Sequence, residues 1–243
     1  MVEDMVHGTR AVEEALEAGG RVNRLLVAKE SQGPATHRLI QQAKALGVPF
    51  DVVPLAKLNH LAGTGEHQGV AARVSPVEYM ALDECLQRCP AKALLLVLDQ
   101  VQHPRNLGML IRTARGAGVS GVLLPQRGGA LVDDTVVRAS AGAVFHVPLA
   151  PCSNLKRAMG RLKEAGFWVY GLAGEGELDV FSVPWAERSA LVMGNEAKGL
   201  RPSVLKQCDA LVRIPLEGGL DSLNVAVAAG IALFQAAPWR AGL

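Results

Sequence analysis

The sequence predicts two α/β domains, the second built on a parallel sheet. Three observations predict this. Hydrophobic residues make up 49% of the 243, ample material for a packed core. Stretches with helical spacing alternate with short strand-like runs along the whole chain, as in α/β folds. Residues 93–98 (ALLLVL) form a continuous apolar run, the pattern of a strand buried on both faces of a parallel sheet. The same composition excludes disorder, collagen and coiled coil.

Taken in order, residues 8–18 set Val12, Ala15 and Leu16 at helical spacing, and Gly19-Gly20 stops the helix. Residues 24–28 (RLLVA) read as a strand. Residues 34–46 read as a helix that opens on Pro34 and closes at Gly47. A strand at 50–53, a short helix at 55–61 and a strand at 69–74 complete a small domain over residues 1–75. Residues 76–90, with proline at both ends, read as a linker. Residues 91–243 form the second domain, with strands at 93–98, 119–124, 145–148, 168–172, 190–193 and 211–214. Helices fall between them, and the last spans 224–236. No internal repeat or low-complexity tract interrupts the pattern.

Charge narrows the partners only weakly. Lys and Arg exceed Asp and Glu by 25 to 23, and aromatics are 4% of the chain. A simple electrostatic nucleic-acid binder is strongly basic, and a base-stacking platform needs aromatic side chains. The balance is uneven, however: residues 1–75 are neutral, 76–90 carry −2 and 91–243 carry +4. Cys85 and Cys89 lie close but have no nearby histidine, so no metal site is expected. All four cysteines read as free thiols of a reducing cytoplasm. Residues 1–10 lack the apolar run of a signal peptide. The uncharged stretch 222–239 contains Asn224, Gln235 and Pro238, so it reads as a buried helix and no membrane association is expected.

Two motif matches fail on context. Residues 116–121 (GAGVSG) fit G-x-G-x-x-G but follow a helix and precede a strand, which favours a helix cap and turn over a dinucleotide site. Ser203 and Lys206 fit S-x-x-K without its partner motifs and read as a surface helix turn. Three other segments carry more. Residues 99–114 (DQVQHPRNLGMLIRTA) begin at the carboxyl end of a buried strand, where α/β ligands bind. Asn106 suits a helix N-cap. Arg112 reads either as a solvated helix arginine or, beside Leu107, Leu110, Ile111 and Ala114, as a partly enclosed group for a carboxylate or phosphate. In residues 193–200 (MGNEAKGL), Gly194 and Gly199 permit a tight loop with Glu196 at its tip, which is either a plain turn or a functional carboxylate. In residues 214–229 (IPLEGGLDSLNVAVAA), Ser222 or Asn224 can cap the last helix, but capping explains only one of them.

Together these segments resemble the SpoU (TrmH-like) ribose methyltransferases of the SPOUT superfamily. The first motif is carried by Asn106, Gly108, Arg112, Thr113 and Ala114. The second is carried by Gly194, Glu196 and Gly199, and the third by Ile214, Pro215, Ser222, Leu223, Asn224 and Val225. Ser140, Gly142 and Ala143 match a further family stretch. Residues 7–16 (HGTRAVEEAL) and 67–72 (HQGVAA) resemble the ribosomal-protein-like RNA-binding domain of the subgroup that methylates guanosine 2′-hydroxyls of bacterial 23S rRNA. Ala197 departs from the glycine common at its position.

The resemblance implies S-adenosylmethionine as methyl donor, an RNA ribose 2′-hydroxyl as acceptor, a deep trefoil knot in the second domain, and a homodimer. It places the donor on Gly194, Ile214 and Leu223. The catalytic candidates are Arg112, Asn106, Glu196, Ser222 and Asn224. Arg112 enters as a general base or as an electrostatic group that binds phosphate and developing alkoxide, oriented by Glu196 and acting across the dimer interface. Alternatives are a tRNA methyltransferase of the same family, a non-catalytic RNA-binding protein, and a dehydrogenase hung on the 116–121 turn.

Overall fold

The structure, a computed structural model, describes residues 5–17, 22–31, 33–75 and 77–237. The Gly19-Gly20 stop, Pro76 and Pro238 lie outside the described residues. The chain divides into two compact units, residues 1–78 with 131–134, and residues 79–130 with 135–243. Residues 131–134, expected in the second domain, thus group with the first unit.

The first unit runs β1 (Met5–His7), α1 (Thr9–Glu17), β2 (Val22–Ala28), α2 (Pro34–Ala45), β3 (Phe50–Val53), α3 (Leu55–Ala62) and β4 (Val70–Val74). Its sheet has the order β1-β4-β2-β3, with β2 and β3 parallel and the other pairs antiparallel. Helices α1 and α2 bury Val12, Leu16, Leu39 and Ala43 against Leu25, Val27, Val70 and Ala72 on one face. Leu58 and Ala62 of α3 pack with Leu26, Ala28 and Ala71, from the alternate strand positions. The three-residue β1 has no counterpart in the sequence reading, because three residues carry no periodicity.

The second unit runs α4 (Leu82–Arg88), β5 (Ala93–Leu98), α5 (Pro104–Gly116), β6 (Gly121–Pro125), α6 (Asp134–Ala139), β7 (Leu149–Cys152), α7 (Leu155–Glu164), β8 (Trp168–Leu172), β9 (Leu178–Asp179), β10 (Arg188–Met193), α8 (Pro202–Leu205), β11 (Ala210–Arg213) and α9 (Val225–Ala236). Its strands are all parallel, in the order β7-β6-β5-β10-β8-β11-β9. Every residue of β5 is buried, as its apolar run requires. Glycine permits a close approach at α5: a Cβ on Gly108 would lie 2.5 Å from the Ala139 Cβ and 2.9 Å from the Val136 oxygen.

Three expectations need correction. The 76–90 stretch is not an irregular linker throughout, since it contains α4. Cys85 of α4 is buried with Leu95, Leu123 and Met159, and Met80, Leu82 and Leu86 pack beside it. Its apolar residues at helical spacing outweigh the flanking prolines. The strand expected at 145–148 is absent: Gly142 turns the chain with φ +77°, residues 143–145 form a 3₁₀ turn that leaves Phe145 exposed, and the strand starts at Leu149. Asn106 does not cap α5. That helix starts two residues earlier on Pro104, whose fixed φ favours the first helical position.

The 116–121 turn is a helix cap, as its context indicated. Gly118 has φ +75°, and the amides of Ala117, Gly118 and Val119 return to the oxygens of Thr113, Arg115 and Ala114. All four cysteines are free thiols. Among the described residues, no helix is long and apolar enough to cross a membrane.

Candidate active site

Parallel strands deliver their carboxyl ends to one edge, so the loops after the neighbours β5 and β10, and after β11 beyond β8, all emerge at that edge. The β10 loop is the tightest. Asn195 and Gly199 pair backbone to backbone, and the Asn195 Oδ1 accepts from the amides of Ala197 (3.0 Å) and Lys198 (3.1 Å). A Cβ on Gly194 would collide with the backbone of Gly199 and Leu200, so this loop closes only over glycine.

Glu196 reaches from this loop into the one after β5. Its carboxylate accepts from the backbone amides of Gln102 (3.2 Å) and His103 (3.1 Å), from the Asn106 amide (3.1 Å) and from Asn195 (3.3 Å). Partial burial pushes its pKa up. The hydrogen bonds from Asn106, His103 and Gln102 outweigh that, and the carboxyl is held below its ordinary value. With its Nδ2 committed to Glu196, Asn106 turns its Oδ1 to the Nδ2 of Asn224, 3.2 Å away. Asn224 in turn caps α9, its Oδ1 accepting from Ala226 (2.9 Å) and Val227 (3.4 Å). Three candidate residues, from the β10 loop, the first turn of α5 and the cap of α9, thus form one directional hydrogen-bond chain.

Beside the chain lies a cavity of about 240 Å³. Gly194, Ile214 and Leu223, the expected donor positions, all line it, as do Glu196 and Ser222. Its wall also carries Glu175, Asp221 and Lys198. Asn106, Asn224 and Arg112 lie outside the lining.

Arg112 is the point of departure. It is exposed, not partly enclosed, and its side chain has no hydrogen bond or ion pair among the described residues. Leu107, Leu110, Ile111 and Ala114 face the core, and helical geometry turns position 112 away from them. Nor does Glu196 orient it, because that carboxylate is occupied by other donors. Ser222 is exposed at the cavity rim.

Sequence reasoning missed Asn195, whose side chain shapes the loop and also donates to the Gln100 oxygen at 2.9 Å. It also missed Asp99 and Arg201, which join the same two loops. A signal was present for Asp99: a charge that ends a fully buried apolar strand needs a partner.

Family models match both parts of the chain. One described as the SpoU rRNA Methylase family matches residues 93–234, and one described as RNA 2′-O ribose methyltransferase substrate binding matches residues 5–80. The chain is 38% identical to a 23S rRNA (guanosine-2′-O-)-methyltransferase of Xanthomonas axonopodis, over 97% of this chain and 96% of that one. It is 37% identical to an uncharacterized tRNA/rRNA methyltransferase of Synechocystis, over 96% of this chain but only 62% of that longer relative. Among solved structures, an S-adenosylmethionine-bound rRNA methyltransferase from Sinorhizobium meliloti aligns with a TM-score of 0.60 and 30% identity, over 96% of this chain and 85% of that one.

Proposed function

The chain belongs to the SpoU rRNA methylase family, and from that premise we propose that it is an S-adenosylmethionine-dependent RNA 2′-O-methyltransferase whose target is a guanosine of 23S rRNA. One observation carries the reading: the Glu196–Asn106–Asn224 chain ties the β10 loop to the starts of α5 and α9 beside the cavity that Gly194, Ile214 and Leu223 line. The cavity suits the donor electrostatically. Glu175, Glu196 and Asp221 line it against the single ammonium of Lys198, a balance that favours a ligand with a net positive charge. Its apolar side chains, among them Ile214, Leu216 and Leu223, suit an adenine ring.

When bound, S-adenosylmethionine supplies a methyl group on a sulfonium, already a good leaving group. The protein's task is to align that methyl with the ribose oxygen and to favour the oxygen's developing charge. Gly194, Ile214 and Leu223 hold the donor. Asn106, Ser222 and Asn224 place donor and ribose. Glu196 fixes the Asn106 amide; saturated with donors and held ionised, it is a poor general base. Arg112 acts as an electrostatic group on phosphate and alkoxide, since a guanidinium does not give up its proton.

The active unit in this reading is a homodimer. Met109 of α5 and Val227 and Phe234 of α9 are exposed apolar side chains on two helices packed together, and α9 carries no charge. Such a face favours a partner surface, and Arg112 on α5 then works across it. The reading includes a trefoil knot formed by the 194–200 and 214–224 loops. Insertion of β10 between β5 and β8 and the close backbone packing at Gly194 support it. Residues 1–75 bind RNA and 91–243 catalyse, in the cytoplasm, with α4 of the connecting 76–90 stretch packed onto the catalytic domain. A match of the first unit to an RNA substrate-binding model supports an RNA partner, and the 23S rRNA name of the Xanthomonas relative favours rRNA over tRNA.

The test is methylation of total RNA with labelled donor, followed by mapping of the label. Label on a 23S guanosine ribose is the expected result. Label on tRNA alone sinks the rRNA assignment. Donor bound in calorimetry without transfer to any RNA leaves a non-catalytic RNA-binding protein.

A further inference from the structure

One buried charge at the site has no part in the scheme above. Asp99, the first residue after β5, is 0% exposed. Its carboxylate is satisfied by a single residue: Arg201 donates its backbone amide to Oδ2 (3.0 Å) and its Nε to Oδ1 (2.7 Å), and its Nη2 lies 2.6 Å from Oδ1. A fully buried carboxylate persists only with its lone pairs engaged. A guanidinium fork engages them in one geometry, which a flexible ammonium does not.

Arg201 stands where the chain leaves the tight loop after β10. The entry to that loop is fixed by the Leu98–Met193 pairing and by the Asn195 bond to the Gln100 oxygen. Its tip is fixed by Glu196. Among the described residues, only Asp99 fixes the exit through a bond between these two loops. A buried ion pair adds little net stability over an apolar pair, so geometry is the better account of its presence here.

Resting on the donor reading above, we infer that Asp99 and Arg201 are a positioning pair that sets the shape of the donor cavity. By locking the loop exit they keep Leu200 against the wall and hold Gly194 and Gly199 in contact, so Glu196 reaches Asn106. Neither residue lines the cavity or touches the reacting atoms.

Steady-state methylation, with donor and RNA varied separately, tests this. Asp99→Asn preserves shape and leaves an Arg201 side chain that is 43% exposed and able to hydrate, so the fold survives. The donor KM of this variant rises about tenfold while kcat at saturating donor stays within about threefold, the size expected of a small misplacement. Arg201→Lys keeps the charge and the backbone amide but not the fork, and falls between Asp99→Asn and wild type. Leu162→Ala removes a buried α7 side chain, lowers the unfolding temperature and leaves the donor KM unchanged. An unchanged donor KM in Asp99→Asn overturns the inference, as does an equal rise in Leu162→Ala. A wild-type protein that neither binds donor nor labels RNA overturns the donor reading instead.

Discussion

Glu196 illustrates how much chemistry rests on one side chain. Its folded-state pKa is lowered, so ionisation contributes stability above the ordinary value of 4.5, and this is lost as pH falls through the lowered value. Glu196→Gln therefore lowers the unfolding temperature near neutral pH, and the gap from wild type narrows under acid; a pH series of thermal melts checks this. Arg112 answers a different question. It lies outside the donor cavity, so Arg112→Ala leaves S-adenosylmethionine binding by calorimetry unchanged while kcat drops roughly a hundredfold or more. Arg112→Lys with near wild-type activity and a flat pH–rate profile counts against a role for the fork. At this scale the sequence was legible where motifs coincide with strand ends: Asn106, Glu196, Asn224, Gly194, Ile214 and Leu223 do converge. Partnerships were not legible. Within the chain Glu196 pairs with Asn106 and not with Arg112, and Asp99–Arg201 went unseen, because residues 102 positions apart meet only through tertiary geometry.

Elements were legible in proportion to their periodicity. β5, α9 and the helices of the first unit carry strong patterns and stand where expected within a residue or two, whereas β1, β9 and the 3₁₀ turn are too short to carry one. Helix α4 was hidden by the prolines around it. Packing between elements explains a motif position that chemistry does not. Gly108 takes no part in the hydrogen-bond chain, yet α5 sits on α6 only because that residue lacks a side chain. Gly108→Ala destabilises by about 1–3 kcal/mol despite its better helix propensity, measurable by denaturant unfolding.

For the whole molecule, a net charge of +2 gave no sign of RNA, because the −2 of residues 76–90 offsets part of the +4 of residues 91–243 and residues 1–75 add nothing. Few aromatics remain to stack bases, which predicts RNA held through phosphates and shape, with an affinity that falls steeply with salt in a binding titration. Assembly has its own test. If the proposed dimer forms through the exposed face of α9, Val227→Asp converts it to monomer in sedimentation and abolishes transfer. Mixing Arg112→Ala with Gly194→Ala subunits restores part of the activity if the arginine acts across the interface. The strand order has a further consequence, which belongs to synthesis. In the central β5–β10 pair, Ala93 meets Arg188, 95 residues later. At roughly 5–20 residues per second on the ribosome, β5 waits about 5–20 s for its partner. Throughout that interval an uninterrupted run of leucines and valines is unpaired on one edge, which makes the nascent second domain a natural client for chaperones that shield apolar strands.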